Sequence, residues 1–332
     1  TSRGGAPTRE THTSRGGDAM VIRLLRRLGI SLVSLFLVAV VVFLLMQAAP
    51  GDAAEALVGS DATAAEVEAA RERLGLNEPL VVQFGNWLLA AVQGDFGTSL
   101  YSDRPVIDSL LAAAPATISI SVVALLIAAV LGVTAGTVAG LRQNSWADRG
   151  VSLLATLGIA MPNFWVGLLL VSVFAFDLGW LPATGYVPIE QGFGDWLRHV
   201  ILPAFALALA MTAEVARQTR GGVVDVLSRP YILAARARGA SRGWLVRKHV
   251  LRNSAIPVVT VFGLQSASLL GGVVIIEAVF GISGLGTLAI TSVVRQDYPV
   301  IQAYVVLVAL IVIVINLLVD ISYGWINPKV RS

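Results

Sequence analysis

From Leu28 to Ala48 the chain carries no charged residue, and five further apolar stretches follow, near residues 116–140, 151–176, 200–216, 257–280 and 300–319. No other feature limits the fold so strongly. In hydrocarbon every backbone N–H and C=O must find its partner inside the protein, and a helix of about 20 apolar residues satisfies them within one segment. Composition agrees: 56% of residues are hydrophobic and 14% charged, against about 45–50% and about 25% in soluble domains. The predicted fold class is therefore all-α, a polytopic membrane protein with six transmembrane helices. Gly132, Gly136, Pro162, Gly271 and Gly272 lie inside these stretches, where small residues allow close packing and a proline allows a kink.

Loop charges orient the spans. Arg23, Arg26 and Arg27 precede the first, Arg142 and Arg149 join the second and third, Arg217 to Arg252 join the fourth and fifth, and Lys329 and Arg331 end the chain. The opposite side carries ten acidic residues from Asp52 to Asp108 against Arg71, Arg73 and Arg104. The positive-inside rule puts both termini in the cytoplasm, which an even number of spans requires. Residues 1–19 repeat TSRGG and show no apolar period; they read as a disordered tail, or as sequence ahead of a natural start at Met20. Residues 20–48 form a basic N-terminus and first span, longer than the about 7–15 residues of a signal-peptide core. Residues 49–115 read as an extracytoplasmic segment, soluble in character, and residues 116–332 as the membrane core with a cytoplasmic loop over 217–256. Within the outer segment Thr63 and Glu66 are spaced as a capping box for a surface helix that Gly75 and Pro79 end.

The chain has no cysteine, which excludes disulfides and thiolate metal sites. His12, His199 and His249 are too scattered for a metal site. The sequence pI of about 9.5 comes from basic residues beside apolar spans, not from an aromatic-interleaved face, so it reads as topology and not as nucleic-acid binding.

The cytoplasmic stretch 217–256 far exceeds the about 2–8 residues of a plain helix connection. Its centre reads SRPYILAARARGASRGWLVRKHVLRNSAIP. Tyr231 to Arg238 is helix-compatible and brings Ala234, Ala235 and Arg238 onto or near one face. Gly239 supplies a turn where positive φ costs little, and Ser241 reads as the N-cap of a second helix, Arg242 to Asn253, carrying Trp244, Leu245 and Leu251. Helix–glycine–helix with small side chains lets a partner's backbone approach, while Arg236, Arg238, Arg247 and Lys248 offer polar contacts. The competing reading is a basic loop that fixes topology or touches anionic lipid.

AARARGASRGWLVRKHVLRNSAIP resembles the cytoplasmic signature of binding-protein-dependent ABC importer permeases, E-A-A-x3-G-x9-I-x-L-P. Ala234, Ala235 and Gly239 match, whereas Leu233, His249 and Arg252 stand where the pattern has Glu, Ile and Pro. ARARG followed by HVLRNSAIPVVT is similar to the dipeptide, oligopeptide and nickel branch. PGDAA, LGLNEPLVVQF, GDFGTSLYSDRPV, PATISIS, LPATGY, EAVFGISGLG and DISYGWINPKVR resemble that branch's segments in order. The resemblance implies a type I importer permease in the bacterial cytoplasmic membrane, with peptides as cargo and nickel or another small solute as the alternative. It implies a homologous second permease subunit, two ATP-binding subunits that hold ATP and Mg, and an extracytoplasmic peptide-binding protein. Tyr231, Ala234, Ala235, Arg238, Gly239 and Trp244 would then couple the chain to the ATPase subunits. The chain itself lacks a G-x-x-x-x-G-K-[ST] phosphate loop, so it is expected not to be an enzyme and to hold no cofactor. Ser283 and Gly284 stand where the family commonly has Pro-Gly, which predicts a looser outer turn.

Glu214 and Glu277 would each cost about 2.5–3.5 kcal/mol at a helix centre. They therefore gate or line an aqueous pathway, or pair near an interface. Asn163 is expected to bond a carbonyl freed by Pro162, and Trp180, Tyr186 and Trp196 to form an interfacial aromatic belt. A stand-alone channel or secondary transporter is the rival class, but no inverted repeat or midspan acidic cluster is visible.

Overall fold

The computed structural model describes residues 14–48, 53–59, 62–73, 75–246, 248 and 251–326. His12, Asp52, Asp61, Arg247, His249, Lys329, Arg331 and residues 1–13 of the expected tail lie outside the described residues. The first helix, α1, is Ser14–Ala48, so residues 14–19 are helical and not tail. Three short helices follow, α2 Ala53–Val58, α3 Ala64–Arg73 and α4 Leu80–Val92. The capping box forms as its spacing predicts: the Thr63 N–H donates to the Glu66 carboxylate at 2.8 Å and the Glu66 N–H to the Thr63 hydroxyl at 3.4 Å. Those Thr63 hydrogen bonds hold the Glu66 carboxyl below the usual carboxylate range. α4 departs from the soluble character expected of this segment, because LVVQFGNWLLAAV has no charged residue.

The second span begins ten residues before its apolar stretch. α5, Val106–Ile127, continues through a π-helical turn at Ala128–Gly132 into α6, Val133–Leu141, as one 36-residue helix. Pro105 starts it, and Val106, Leu110 and Ala113 are buried, so residues 106–115 are helix where sequence placed the end of an outer segment. The third span is broken. α7 is Trp146–Ala160 and α8 is Asn163–Leu170, continued by π-helical Val171–Asp177, and the two halves bend by 104°. Pro162 is the cause: it disfavours the helical conformation of the residue before it, and Met161 is extended at φ −86°, ψ 128°.

The remaining long helices are α9 Phe193–Ser228, α12 Leu251–Val279 and α14 Tyr298–Ile326. Between them lie the short α10 Pro230–Ala237, α11 Arg242–Leu245 and α13 Leu285–Val294. Among the described residues five helices are long and apolar enough to cross a bilayer, and the spans number six when the bent pair is counted as one. Among the described residues there is no strand.

α9 is the hub, packed against α5, α6, α7, α8 and α12. Contact with α6 is at backbone distance: a Cβ on Gly132 would lie 2.7 Å from Val215, and one on Gly140 2.7 Å from Val223. Gly132, Gly136 and Gly140, four residues apart, are what let the helices meet. Around α9, Ile120, Leu207, Val215, Ile276 and Phe280 are fully buried.

Candidate functional site

The basic island begins where α9 stops. Pro230 forces Arg229 into an extended conformation, φ −70°, ψ 140°, and sits at the start of α10, where its missing N–H costs nothing. α10 turns Ile232 inward. That side chain is 0% exposed and packs with Val223 and Val226 of α9 and Leu245 of α11. Gly239 has φ +84°, and the Ala240 N–H donates to the Ala235 carbonyl at 3.1 Å while the Gly239 N–H donates to the Arg236 carbonyl at 2.9 Å. This pair of bonds is the Schellman cap, which a left-handed residue at Gly239 makes possible. Ser241 caps the next turn, accepting from the Trp244 N–H at 3.4 Å.

One expectation for the island needs correction. Ala235 does not share the outward face of Ala234 and Arg238; it is partly buried against the Ile232 cluster, beside Ala240. Of the expected second helix, Arg242–Leu245 is α-helical, 246 and 248 are π-helical and α12 opens at Leu251, with 247, 249 and 250 outside the described residues. Leu245 is buried with Ile232 under α10. Tyr231, Leu233, Ala234, Arg238, Gly239 and Trp244 remain exposed, with the Lys248 ammonium 4.8 Å above the Trp244 ring.

The second constellation lies around Glu277, which is 0% exposed. The Thr117 hydroxyl on α5 donates to its carboxylate at 2.5 Å and the Thr287 N–H on α13 at 2.9 Å. Thr117 in turn accepts from the Leu285 N–H at 2.8 Å. Glu277 and Thr117 thus together take N–H groups of the first turn of α13, and the cluster joins three helices. A Cβ on Gly284 would collide with the carboxylate, and one on Gly286 would lie 2.6 Å from the Val274 backbone. The carboxylate of Glu277 holds this turn, and the glycines make room for it. Sequence singled out Glu277 by the cost of burying it, but nothing marks Thr117, 160 positions earlier, as its partner.

Glu214 pairs on its own helix, with Arg217 at 2.5 Å and Gln218 at 3.1 Å. Both glutamates thus occupy pairing positions in this conformation. Asn163 has no side-chain hydrogen-bond partner among the described residues, so the expected bond to a freed carbonyl is absent there. Trp180 is 61% exposed, as a belt residue would be, but Tyr186 and Trp196 are turned inward. The Ser119 hydroxyl lies 3.0 Å from the Tyr186 hydroxyl and accepts from the Trp196 indole at 3.1 Å. Sequence also missed Asp148, 3% exposed, which takes two hydrogen bonds from the Arg220 guanidinium and one from the Asn144 N–H at 2.9 Å. No group of metal-ligating side chains occurs among the described residues.

Residues 132–332 match the family described as binding-protein-dependent transport system inner membrane component, and residues 20–121 match its N-terminal family. The glutathione transport system permease protein GsiC of Escherichia coli K12 is 45% identical over 298 residues, 90% of this chain and 95% of that one. The protein of that name from Shigella dysenteriae serotype 1 is similar to the same extent. Among solved structures, a chain of the methionine ABC transporter MetNI in an inward-facing conformation superposes with a TM-score of 0.55 at 18% identity, covering 66% of this chain and 96% of that one. That likeness concerns the fold.

Proposed function

The chain belongs to the family of binding-protein-dependent transport system inner membrane components and is a permease subunit of an ABC importer; on that premise we propose that it carries short peptides and is driven through α10 and α11. The observation that carries the proposal is the burial of Ile232 and Leu245 against Val223 and Val226 at the end of α9. α10 offers Tyr231, Leu233, Ala234 and Arg238 outward while its inner face is fixed to the helix that touches most of the membrane core. An ATPase subunit seated on that outer face moves α9 when it closes, so ATP and cargo bias one two-state element. Six coupling residues keep that role here with a division of labour: Tyr231, Ala234, Arg238 and Trp244 meet the ATPase subunit, Ala235 fixes α10 to α9, and Gly239 sets the angle between α10 and α11. Glu277 positions the outer turn beside the pathway.

The peptide reading is supported by the relatives named for glutathione transport, since glutathione is itself a small peptide, and by the branch that the sequence motifs resemble. Around the chain we place a second permease subunit, two ATPase subunits and a peptide-binding protein, with both chain termini and residues 217–256 in the cytoplasm. The chain is free of cysteine, so the coupling surface can be tested one position at a time. A photoactivatable cross-linker on Y231C or W244C should capture an ATPase subunit in membranes, and one on E72C in α3 should not. Capture from E72C alone would overturn the assignment.

A further inference from the structure

α4 contains no charged residue, and its polar side chains beyond Trp87 are the amides of Gln83 and Asn86. Its neighbours fix its depth. The Phe84 ring lies 5.9 Å from that of Phe36 and 5.3 Å from that of Phe43, and Trp87 lies 6.1 Å from Phe43. Phe43 and Phe36 precede the Ala48 end of α1 by five and twelve residues, which at 1.5 Å per residue is about 8 and about 18 Å along the helix. Phe84, touching both, sits between those levels of a membrane span.

The two sides of α4 differ. Gln83 is held toward the loop, donating to the Leu76 and Glu78 carbonyls at 3.0 and 2.8 Å and accepting from the Gln47 amide at 2.9 Å. Gln83, Asn86 and Trp87 help line a cavity of about 730 Å³ shared with Arg71, Asn77 and Gln302. On the opposite side Val81 and Val92 are each 82% exposed and Leu89 64%. α1 exposes Leu37, Val41, Leu44 and Leu45 over the same depth. A 13-residue helix is about 20 Å long, too short for a hydrocarbon layer of about 30 Å, and an apolar face with a polar opposite edge suits a helix lying in the interface.

We infer that α4 is a non-spanning helix seated in the leaflet that holds the Ala48 end of α1, with Val81, Leu89 and Val92 against lipid acyl chains. The inference needs neither the peptide reading nor the orientation of the termini. It means that part of the segment expected to lie in water lies in the bilayer, and that α4 separates the polar cavity from lipid.

The test uses single spin labels on V81C, V92C, L45C and E72C in the assembled importer, reconstituted into vesicles of phosphatidylethanolamine and phosphatidylglycerol. Each variant is first matched to the parent in thermal midpoint, so that misfolding does not enter. Molecular oxygen should relax the labels at positions 81 and 92 more than a water-soluble nickel chelate does, as at position 45, with the opposite order at position 72. Nickel dominance at positions 81 and 92 would put that face in water or against the binding protein. Exclusion of both agents would put it against a second permease subunit. Either result overturns the inference.

Discussion

At Gly239 a single hydrogen atom in place of a side chain decides the angle between two helices. Its φ of +84° is one that a β-branched residue adopts only at a cost of about 1–3 kcal/mol, and nothing lies within 4 Å of where a Cβ would be. G239V should therefore insert and fold in the membrane but unlock the α10 cap, whereas G239A should be milder. Ile232 tests the other side of the same element. Its truncation to alanine should cost about 2–5 kcal/mol locally, read as loss of hydrogen-exchange protection in α10 with α9 unchanged. Equal loss across both helices would mean that α10 has no separate stability. At Glu277 the expected defect lies elsewhere. E277A leaves the Thr287 N–H and the Thr117 hydroxyl without their acceptor, at about 1–3 kcal/mol per buried group. Thermal midpoint and transport should both fall while ATPase subunits still copurify. An unchanged midpoint would remove the carboxylate from its structural role.

Among the elements, those made by local rules were legible and those made by distant contacts were not. The Thr63 capping box, the turn at Gly239 and the helical character of the six apolar stretches rest on neighbours within a few positions, and each appears, although the second span starts earlier than its apolar stretch and the third is bent. The 104° break at Pro162 follows from the kink that the proline predicts, and beyond it α8 places Val166 in the core. α13 went unread because its ten residues are too short to span and its first turn is completed by Glu277 and Thr117. Ala235 was assigned outward because helical spacing gives faces but not which face the protein covers. Asp148 and Arg220, 72 positions apart, show the same limit. Their pair ties the start of α7 to the C-terminal half of α9, with Asp148 buried and the Arg220 side chain 32% exposed. A double-mutant cycle with D148A and R220A should return a coupling of about 0.5–3 kcal/mol, and additive losses would mean that the pair contributes nothing beyond its members.

For the whole molecule, one long helix joins the handle made by α10 and α11 to the membrane core. α9 ends at Ser228 under α10 and contacts the second, third and fifth spans, so displacement of the handle has a direct mechanical route into the core. Sidedness is the first thing this arrangement requires. An impermeant thiol reagent outside the cell should label E68C and spare S241C, and the reverse would invert the molecule. Coupling itself is tested most directly by peptide-stimulated ATP hydrolysis in the reconstituted importer with its binding protein. Carrying G239V together with A234E, the complex should show unchanged insertion but lose the stimulation or the ATPase subunits themselves. Full stimulation, with normal subunit composition and transport rate, would contradict the account and leave the island as a loop that only fixes topology.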